Sequence, residues 1–571
     1  VKRLSLATNR PLPKDAAAPD PEAERRTFQV ADGFEVNLFA ADPLIAKPLQ
    51  MNFDERGRLW VATTTLYPQI APGQVHDDKI LILEDTDGDG RADKTTIFAD
   101  HLLIPTGVLP ANGGVYTFSD TRVLFLRDTD GDGRADRQEV VLSGFGTEDT
   151  HHMAHLFRWS PGGHLYFNQG IFLHSTIETP YGIVQQAGGY KAGIFEYHPG
   201  SGRLNVFLAN SLPPNPWGNL INRWGWHFDI ETSGSLGTNL ILPTGNQTGS
   251  DIHVPGGQSD KHCGPELLTG RHLPDDWQGS LLSAQFKQHR LVRWTFSDDG
   301  SGFALKAVPP LLVSTDPAFR PVEIRMGPDG AIYVADWYRP IIDHTRPFRG
   351  VGPDFKGRPP VEGEGGRDLT HGRIWRVTAK GRPLVPRPKL VGVPVPEVLE
   401  HLKDPEDYTR LQAKRALVGR ELPAVLSALA DWVKGLDPDD PDYDHHRLEA
   451  LWTYQTLNTV EPDLLRSLMR ARDFNARAAA TLVLRYWHPQ ITGALDLLAS
   501  TLRSGVACFI NDRRGRFTDQ TAAGGTHIGS GGTTLALADV DGNGTLDLYV
   551  AHNRAEDIRD RGRVELQLVR G

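Results

Sequence analysis

The nonapeptide DTDGDGRAD occurs twice, at residues 85–93 and 128–136, and a looser copy, DVDGNGTLD, stands at 539–547. Aspartates at alternate positions with glycines between them are the pattern of a loop that wraps a calcium ion. What flanks the loops constrains the fold. KILILE and KTTIF border the first copy, and RVLFLR and QEVVL border the second; all alternate or run apolar over the length of a strand, with no helical period. An EF-hand needs a helix on either side and a bidentate glutamate at position 12. Position 12 is Thr96 in the first loop and Val550 in the third, and Glu139 of the second heads a strand. The loops are therefore expected to close β-hairpins, with Asp85, Asp87, Asp89 and Asp93, then Asp128, Asp130, Asp132 and Asp136, then Asp539, Asp541, Asn543 and Asp547 as calcium ligands.

The first two loops start 43 residues apart, and a period of roughly 40–50 residues in a strand-rich chain marks propeller blades. MNFDERGRLWVAT, FRWSPGGHLYFNQ and IRMGPDGAIYVADW share a second template, in which Gly57, Gly163 and Gly330 mark a turn that needs positive φ. Dividing residues 27–380 by roughly 40–50 per blade gives about seven or eight blades, or six if 170–270 is rich in loops. The 59 glycines and 41 prolines agree with many turns between short strands.

Past GRIWRVT the character changes. A proline-rich linker at 381–396 leads into segments with apolar residues at i, i+3, i+4 and i+7, such as ELPAVLSALADWVKGL, which read as a HEAT-like helical array over 397–504. The tail, with LADVDGNGTLDLYV, returns to strands and resembles an FG-GAP or VCBS repeat over 505–571. With 1–26 as leader or linker and 27–380 as propeller, the expected fold is mainly β, a propeller followed by helices and a partial FG-GAP-type unit.

The net charge of −10 is spread along the chain, which argues against a nucleic-acid partner. Two cysteines, Cys263 and Cys508, exclude a disulfide framework. No CxxCH motif occurs to attach a c-type haem. Calcium loops of this kind are easiest to fill outside the cytoplasm, so a periplasmic or extracellular location is expected, the export signal not being present in this chain.

Over about residues 27–380 the run FEVNLFAADPLIAKPLQMNFDERGRLWVATTTLYP, ILEDTDGDGRADKTTIFADHL, GFGTEDTHHMAHLFRWSPGGHLYFNQGIFLHS, NPWG, KHCG, FRPVEIRMGPDGAIYVADWY and HGRIWRVT resembles the membrane-bound dehydrogenases of planctomycetes and verrucomicrobia. More distantly it is similar to soluble quinoprotein glucose and sorbosone dehydrogenases. The resemblance implies a six-bladed β-propeller, pyrroloquinoline quinone (PQQ) with calcium, oxidation of a sugar or alcohol, and an external electron acceptor such as a cytochrome. It maps the proton-abstracting histidine to His152, with His151 beside it, and cofactor contacts to Lys287, Arg320, Asn215 and Trp217. Pro214 stands where the pattern has an arginine, and Asp229 and Glu231 stand where carbonyl ligands for calcium are expected. Two other readings remain open at this point. One is a non-enzymatic, calcium-stabilised propeller that binds glycans or proteins, with the helical and FG-GAP-like parts as further contact surfaces; the other is a metal-dependent lactonase.

Overall fold

A computed structural model describes residues 20–68, 75–186, 192–209, 215–233, 237–242, 250–253, 261–299, 302–340 and 368–491, together with the backbone of six strands between 497 and 569. Two compact units divide the chain, Val1–Asn222 with His227–Arg420 and Arg223–Trp226 with Glu421–Gly571.

The first unit is a β-propeller. Six antiparallel sheets follow one another in chain order, and their innermost strands are Pro48–Phe53, Gly107–Ala111, His155–Trp159, Pro216–Ile221, Cys263–Leu267 and Pro321–Met326. Each of these strands lies against the next, and the last returns to the first, so the ring is closed. Polar side chains stitch it from sheet to sheet. Gln50 donates to the Phe157 carbonyl at 3.0 Å and accepts from Val108 N at 2.7 Å, while Asn219 donates to the Leu156 carbonyl at 2.9 Å. Arg158 reaches Glu266 at 2.9 Å, and Arg325 reaches Asn52 at 3.0 Å. Between the sheets the alternate apolar residues of the strands interlock, with Phe118, Phe157, Phe167 and Phe195 almost wholly enclosed. Each such side chain stabilises the fold by roughly 1.5–3 kcal/mol.

Closure comes from the N-terminus. Strand Phe34–Ala41 pairs with Arg373–Ala379 and completes the sixth sheet. Strand Phe28–Val30 adds to the edge of the fifth. Arg373, fully enclosed, clamps the junction: its guanidinium donates to Asp42 at 2.8 Å, lies 3.3 Å from Glu24 and covers the Tyr338 ring at 4.1 Å.

The shared turn template holds. Gly57, Gly163 and Gly330 have φ of 76°, 81° and 79° and close the hairpin from the innermost strand to the second. In the first, Asp54 fixes the turn by accepting from Arg56 N and Arg58 N at 2.9 Å and from Trp60 Nε1 at 2.8 Å. The two DTDGDGRAD loops join the third and fourth strands of the first two sheets, Asp78–Glu84 to Lys94–Leu102 and Arg122–Arg127 to Arg137–Ser143, as hairpin connections without helices.

The helical stretch expected from residue 397 is divided. Helix Asp407–Leu417 belongs to the propeller unit because its polar side chains complete that unit's turns. Tyr408 donates to the Asp54 carbonyl at 2.6 Å, Gln412 to the Phe53 carbonyl at 2.9 Å, and Arg415 covers Trp159 at 3.9 Å. The second unit contains helices Leu422–Lys434, Tyr443–Thr456, Pro462–Leu468 and Phe474–Trp487, then two three-stranded sheets. Strand Leu497–Thr501 falls inside the stretch expected to be helical, since a short apolar run such as LDLLAS carries no period that separates helix from strand. Asp539, Asp541 and Asn543 lie outside the described residues, and Asp547 opens strand Asp547–His552, which pairs with Gly532–Ala538. No helix among the described residues is long and apolar enough to cross a membrane.

Candidate functional site

The meander fixes what can converge. Each sheet starts at its innermost strand, so connections between sheets and between second and third strands share one rim of the ring. Turns from first to second and from third to fourth strand occupy the other. His151 and His152 lie in the turn Thr150–His152 ahead of innermost strand His155–Trp159, and Asn215 and Trp217 lie where Pro216–Ile221 begins. Lys287 sits between strands Leu281–Gln285 and Arg290–Asp299, and Arg320 immediately precedes Pro321–Met326. All six residues assigned by resemblance thus occupy one rim, while the two acidic loops occupy the opposite one.

Asp149 organises the histidines. Its carboxylate caps the turn by accepting from His151 N at 3.1 Å, lies 2.9 Å from His151 Nδ1, and is 3.9 Å from His152 Nε2. His152 is buried against Gly170, whose N–H donates to the His152 carbonyl at 2.9 Å, and its ring meets Phe172 edge-on. Burial pushes its pKa down to about 4, with Asp149 pulling the other way and His151, His155 and Lys261 adding to the depression. The imidazole is therefore neutral at physiological pH, as a proton acceptor must be.

Beside the histidines runs an aromatic and cationic lining. Trp217 stacks on Phe286 with centroids 5.4 Å apart, and Lys261 Nζ lies 5.0 Å from the Trp217 ring. Lys287, half-buried, has no carboxylate partner among the described residues, and burial followed by the nearby Arg320 lowers its pKa. The buried Nε1 of Trp217 and of Trp337 find no acceptor among the described residues. Arg320 plays another part. Its enclosed guanidinium donates to the carbonyls of Arg339 at 2.8 Å, Phe286 at 2.9 Å and Pro340 at 3.1 Å, so it braces two rim loops rather than presenting charge to a ligand. Asp229 is buried and accepts from Asn168 at 2.5 Å; Pro214 and the Glu231 side chain lie outside the described residues.

Several rim residues escaped the reading of the sequence. Tyr67 meets His151 edge-on at 5.4 Å and Trp337 at 5.5 Å, and Arg339 lies over Trp337 at 4.7 Å. Lys47 and Asp368 form an enclosed ion pair of 2.7 Å. The signal for Trp337 was positional: it follows the second strand of the sixth sheet, as Phe286 and Lys287 follow that of the fifth.

A family model described as a domain of unknown function, DUF7133, matches residues 20–247 and 250–381, which cover the whole propeller. The chain belongs to the DUF7133 family. A second match, to an FG-GAP-like repeat, spans residues 492–550. No curated protein matches the chain in sequence. Among solved structures, the DUF7133 propeller resembles a glucose dehydrogenase at 17% identity and a TM-score of 0.39, over 60% of this chain and 98% of that one. It also resembles the soluble aldose sugar dehydrogenase of Escherichia coli in its apo form, at 13% identity and a TM-score of 0.35, over 61% of this chain and 100% of that one. The PQQ domain of pyranose dehydrogenase from Coprinopsis cinerea, in its holo form, gives 13% identity and a TM-score of 0.38, over 62% and 97%.

Proposed function

We propose that the rim carrying His152 is the active site of a six-bladed, quinone-dependent dehydrogenase that oxidises a sugar or alcohol. The observation that carries this reading is a buried imidazole held neutral beside Asp149, on the same rim as Lys287, which has no carboxylate partner among the described residues. His152 takes the substrate hydroxyl proton, and the Asp149 carboxylate balances the imidazolium that results. The donors on this rim suit a flat polyanion such as PQQ. Lys287 and Lys261 supply positive charge, the Trp217 and Phe286 rings a planar wall, and the indole N–H groups of Trp217 and Trp337 donors without an acceptor among the described residues. Asn215, immediately before the strand that carries Trp217, joins this set, and Arg320 positions the Phe286 loop. When bound, the quinone would accept the hydride, and electrons would pass to an external acceptor such as a cytochrome.

Titrating the full chain with PQQ and following absorbance tests the roles. His152→Ala should keep quinone binding and lose turnover by about 10²–10⁴-fold in a dye-reduction assay, whereas Lys287→Ala should weaken quinone binding itself. Absence of dye reduction across a broad panel of sugars and alcohols, with quinone and calcium supplied, overturns the proposal. Glycan binding without quinone uptake would replace it with the non-enzymatic reading, and lactone hydrolysis without quinone with the lactonase.

The pH profile follows from His152. Only the neutral ring accepts a proton, and its pKa is about 4. Turnover should therefore stay level from neutral pH down to about 5 and fall as pH drops through about 4. A profile that falls near 6.5 would place the base elsewhere.

The acidic loops on the far rim are proposed calcium clips for the first two sheets. Their aspartates are arranged alike: Asp85 accepts from Gly88 N at 2.7 Å and Gly90 N at 3.0 Å, and Asp128 accepts from Gly131 N and Gly133 N at the same distances. Ligand oxygens of Asp85, Asp87 and Asp89, and of Asp128, Asp130 and Asp132, lie within 4.8 Å of one another. Asp93 and Asp136 instead bind Thr86 and Thr129, and so close the loops. Calcium at 100 times its dissociation constant stabilises by about 2.7 kcal/mol per site. Chelation should lower Tm accordingly, and Asp87→Asn should remove part of that shift; an unchanged Tm would sink the assignment. A calcium-clipped chain of this kind is proposed to work in the periplasm or outside the cell. Its HEAT-like helices and FG-GAP-like unit would serve as surfaces for protein or glycan partners.

A further inference from the structure

On the rim opposite His152, the third sheet gathers two histidines and a glutamate. Strands Leu165–Gln169 and Gly193–His198 pair with Tyr166 opposite Glu196. The two-residue period of a strand then puts His164 and Tyr166 on one face with Glu196 and His198. His164 Nδ1 lies 2.8 Å from Glu196 Oε1, and His198 Nε2 lies 3.6 Å from Oε2. The two imidazoles are stacked, with centroids 3.6 Å apart. Tyr166 donates to Glu196 Oε1 at 2.7 Å, and the Asn205 amide reaches Glu196 Oε2 at 3.3 Å and His198 Nε2 at 3.2 Å. One nitrogen or oxygen from each of His164, Glu196 and His198 falls within a common 4.8 Å.

We propose that His164, Glu196 and His198 bind a zinc-class divalent ion, distinct from the calcium expected in the acidic loops. Zinc bonds of 2.0–2.2 Å in a tetrahedron place ligand atoms about 3.3 Å apart, and the observed separations of 2.8 and 3.6 Å bracket that value. Two imidazoles and one carboxylate suit zinc and its neighbours far better than calcium, which takes oxygen ligands only. The charge agrees. Glu196 is fully enclosed, and although burial would raise its pKa, the His164 and His198 contacts outweigh it and lower it well below the usual carboxylate value. Burial lowers the pKa of His164, which keeps a neutral ring of the kind a metal takes. His198 is the least enclosed of the three, with a side chain 15% exposed, and provides the open side for a fourth ligand. Asn205, whose amide oxygen and nitrogen exchange places on a flip, and water are the groups at hand for it. The ion would tie the turn that opens the second strand to the end of the third, clipping the sheet where the acidic loops clip its two predecessors.

The full chain, stripped of metal by chelation and then saturated with calcium, is titrated with zinc chloride and separately with cobalt(II) chloride. Wild type should take up one equivalent of zinc beyond the calcium and show the intense visible bands of four-coordinate cobalt. Glu196→Gln and His198→Gln should lose that equivalent, while Asp87→Asn and His152→Ala should retain it. Zinc uptake that is equal in wild type and in both site variants overturns the proposal, as does wild type without cobalt bands. If the site variants fail to fold, the wild-type cobalt spectrum decides in the same two ways. Retention in His152→Ala makes the outcome independent of the dehydrogenase assignment.

Discussion

Arg373→Met should destabilise the propeller by about 1–3 kcal/mol, because the acceptors that the enclosed guanidinium satisfies at the junction lose their donor. Arg373 is fully enclosed and donates to Asp42 at 2.8 Å and to the Gly372 carbonyl at 3.1 Å, with Glu24 3.3 Å away. Burial and the charge of Asp336 hold the Glu24 carboxyl well above the usual range, so it keeps a proton and Asp42 carries the negative end of the pair. Without the guanidinium, Asp42 keeps only His371, 3.9 Å away, among the described residues, and the Tyr338 ring loses the cation over its face. The damage falls on the junction that closes the ring. Urea unfolding should show the loss, and limited proteolysis should cut near Phe34–Ala41 before elsewhere. A change below about 1 kcal/mol would mean that the pair contributes no more than a surface ion pair does.

Gly170→Ala should abolish turnover almost as fully as loss of His152 itself. A methyl group at this position would stand 2.1 Å from His152 Nδ1, so the imidazole has to leave its place. Displacing a reacting group by about 1 Å can cost 10²-fold. The overpacking should cost only about 1–3 kcal/mol of stability. Quinone binding should persist, since Lys287, Lys261 and Trp217 are untouched. Full turnover in this variant would remove His152 from the reaction.

The propeller was legible because its signals are local. A repeated acidic loop, three glycines at positive φ and strand-length apolar runs each report on a few residues, and their spacing marks out the sheets. His152 and Trp217 were legible in the same way, through short motifs next to innermost strands. What the sequence hid depends on contacts distant along the chain. Nothing around Arg320 tells that three carbonyls from 286, 339 and 340 will surround its guanidinium, and nothing around Glu406 tells that it will pair with Arg271 at 2.7 Å. The His164, Glu196 and His198 cluster needed the pairing of Tyr166 with Glu196, which only the sheet register supplies. The strand Leu497–Thr501 was missed for a different reason: five residues are too few for a period to declare itself.

Ring closure by an N-terminal strand also sets a clock on biogenesis. Glu35 and Thr378 are neighbours in the finished sheet but 343 residues apart in the chain. At about 5–20 residues per second, strand Phe34–Ala41 leaves the ribosome roughly 20–70 s before its partner is made. Throughout that interval the first five sheets can assemble, but the nascent chain carries an unpaired strand edge, the feature most prone to aggregate. A chaperone, or delivery across a membrane before folding, has its greatest effect in that window.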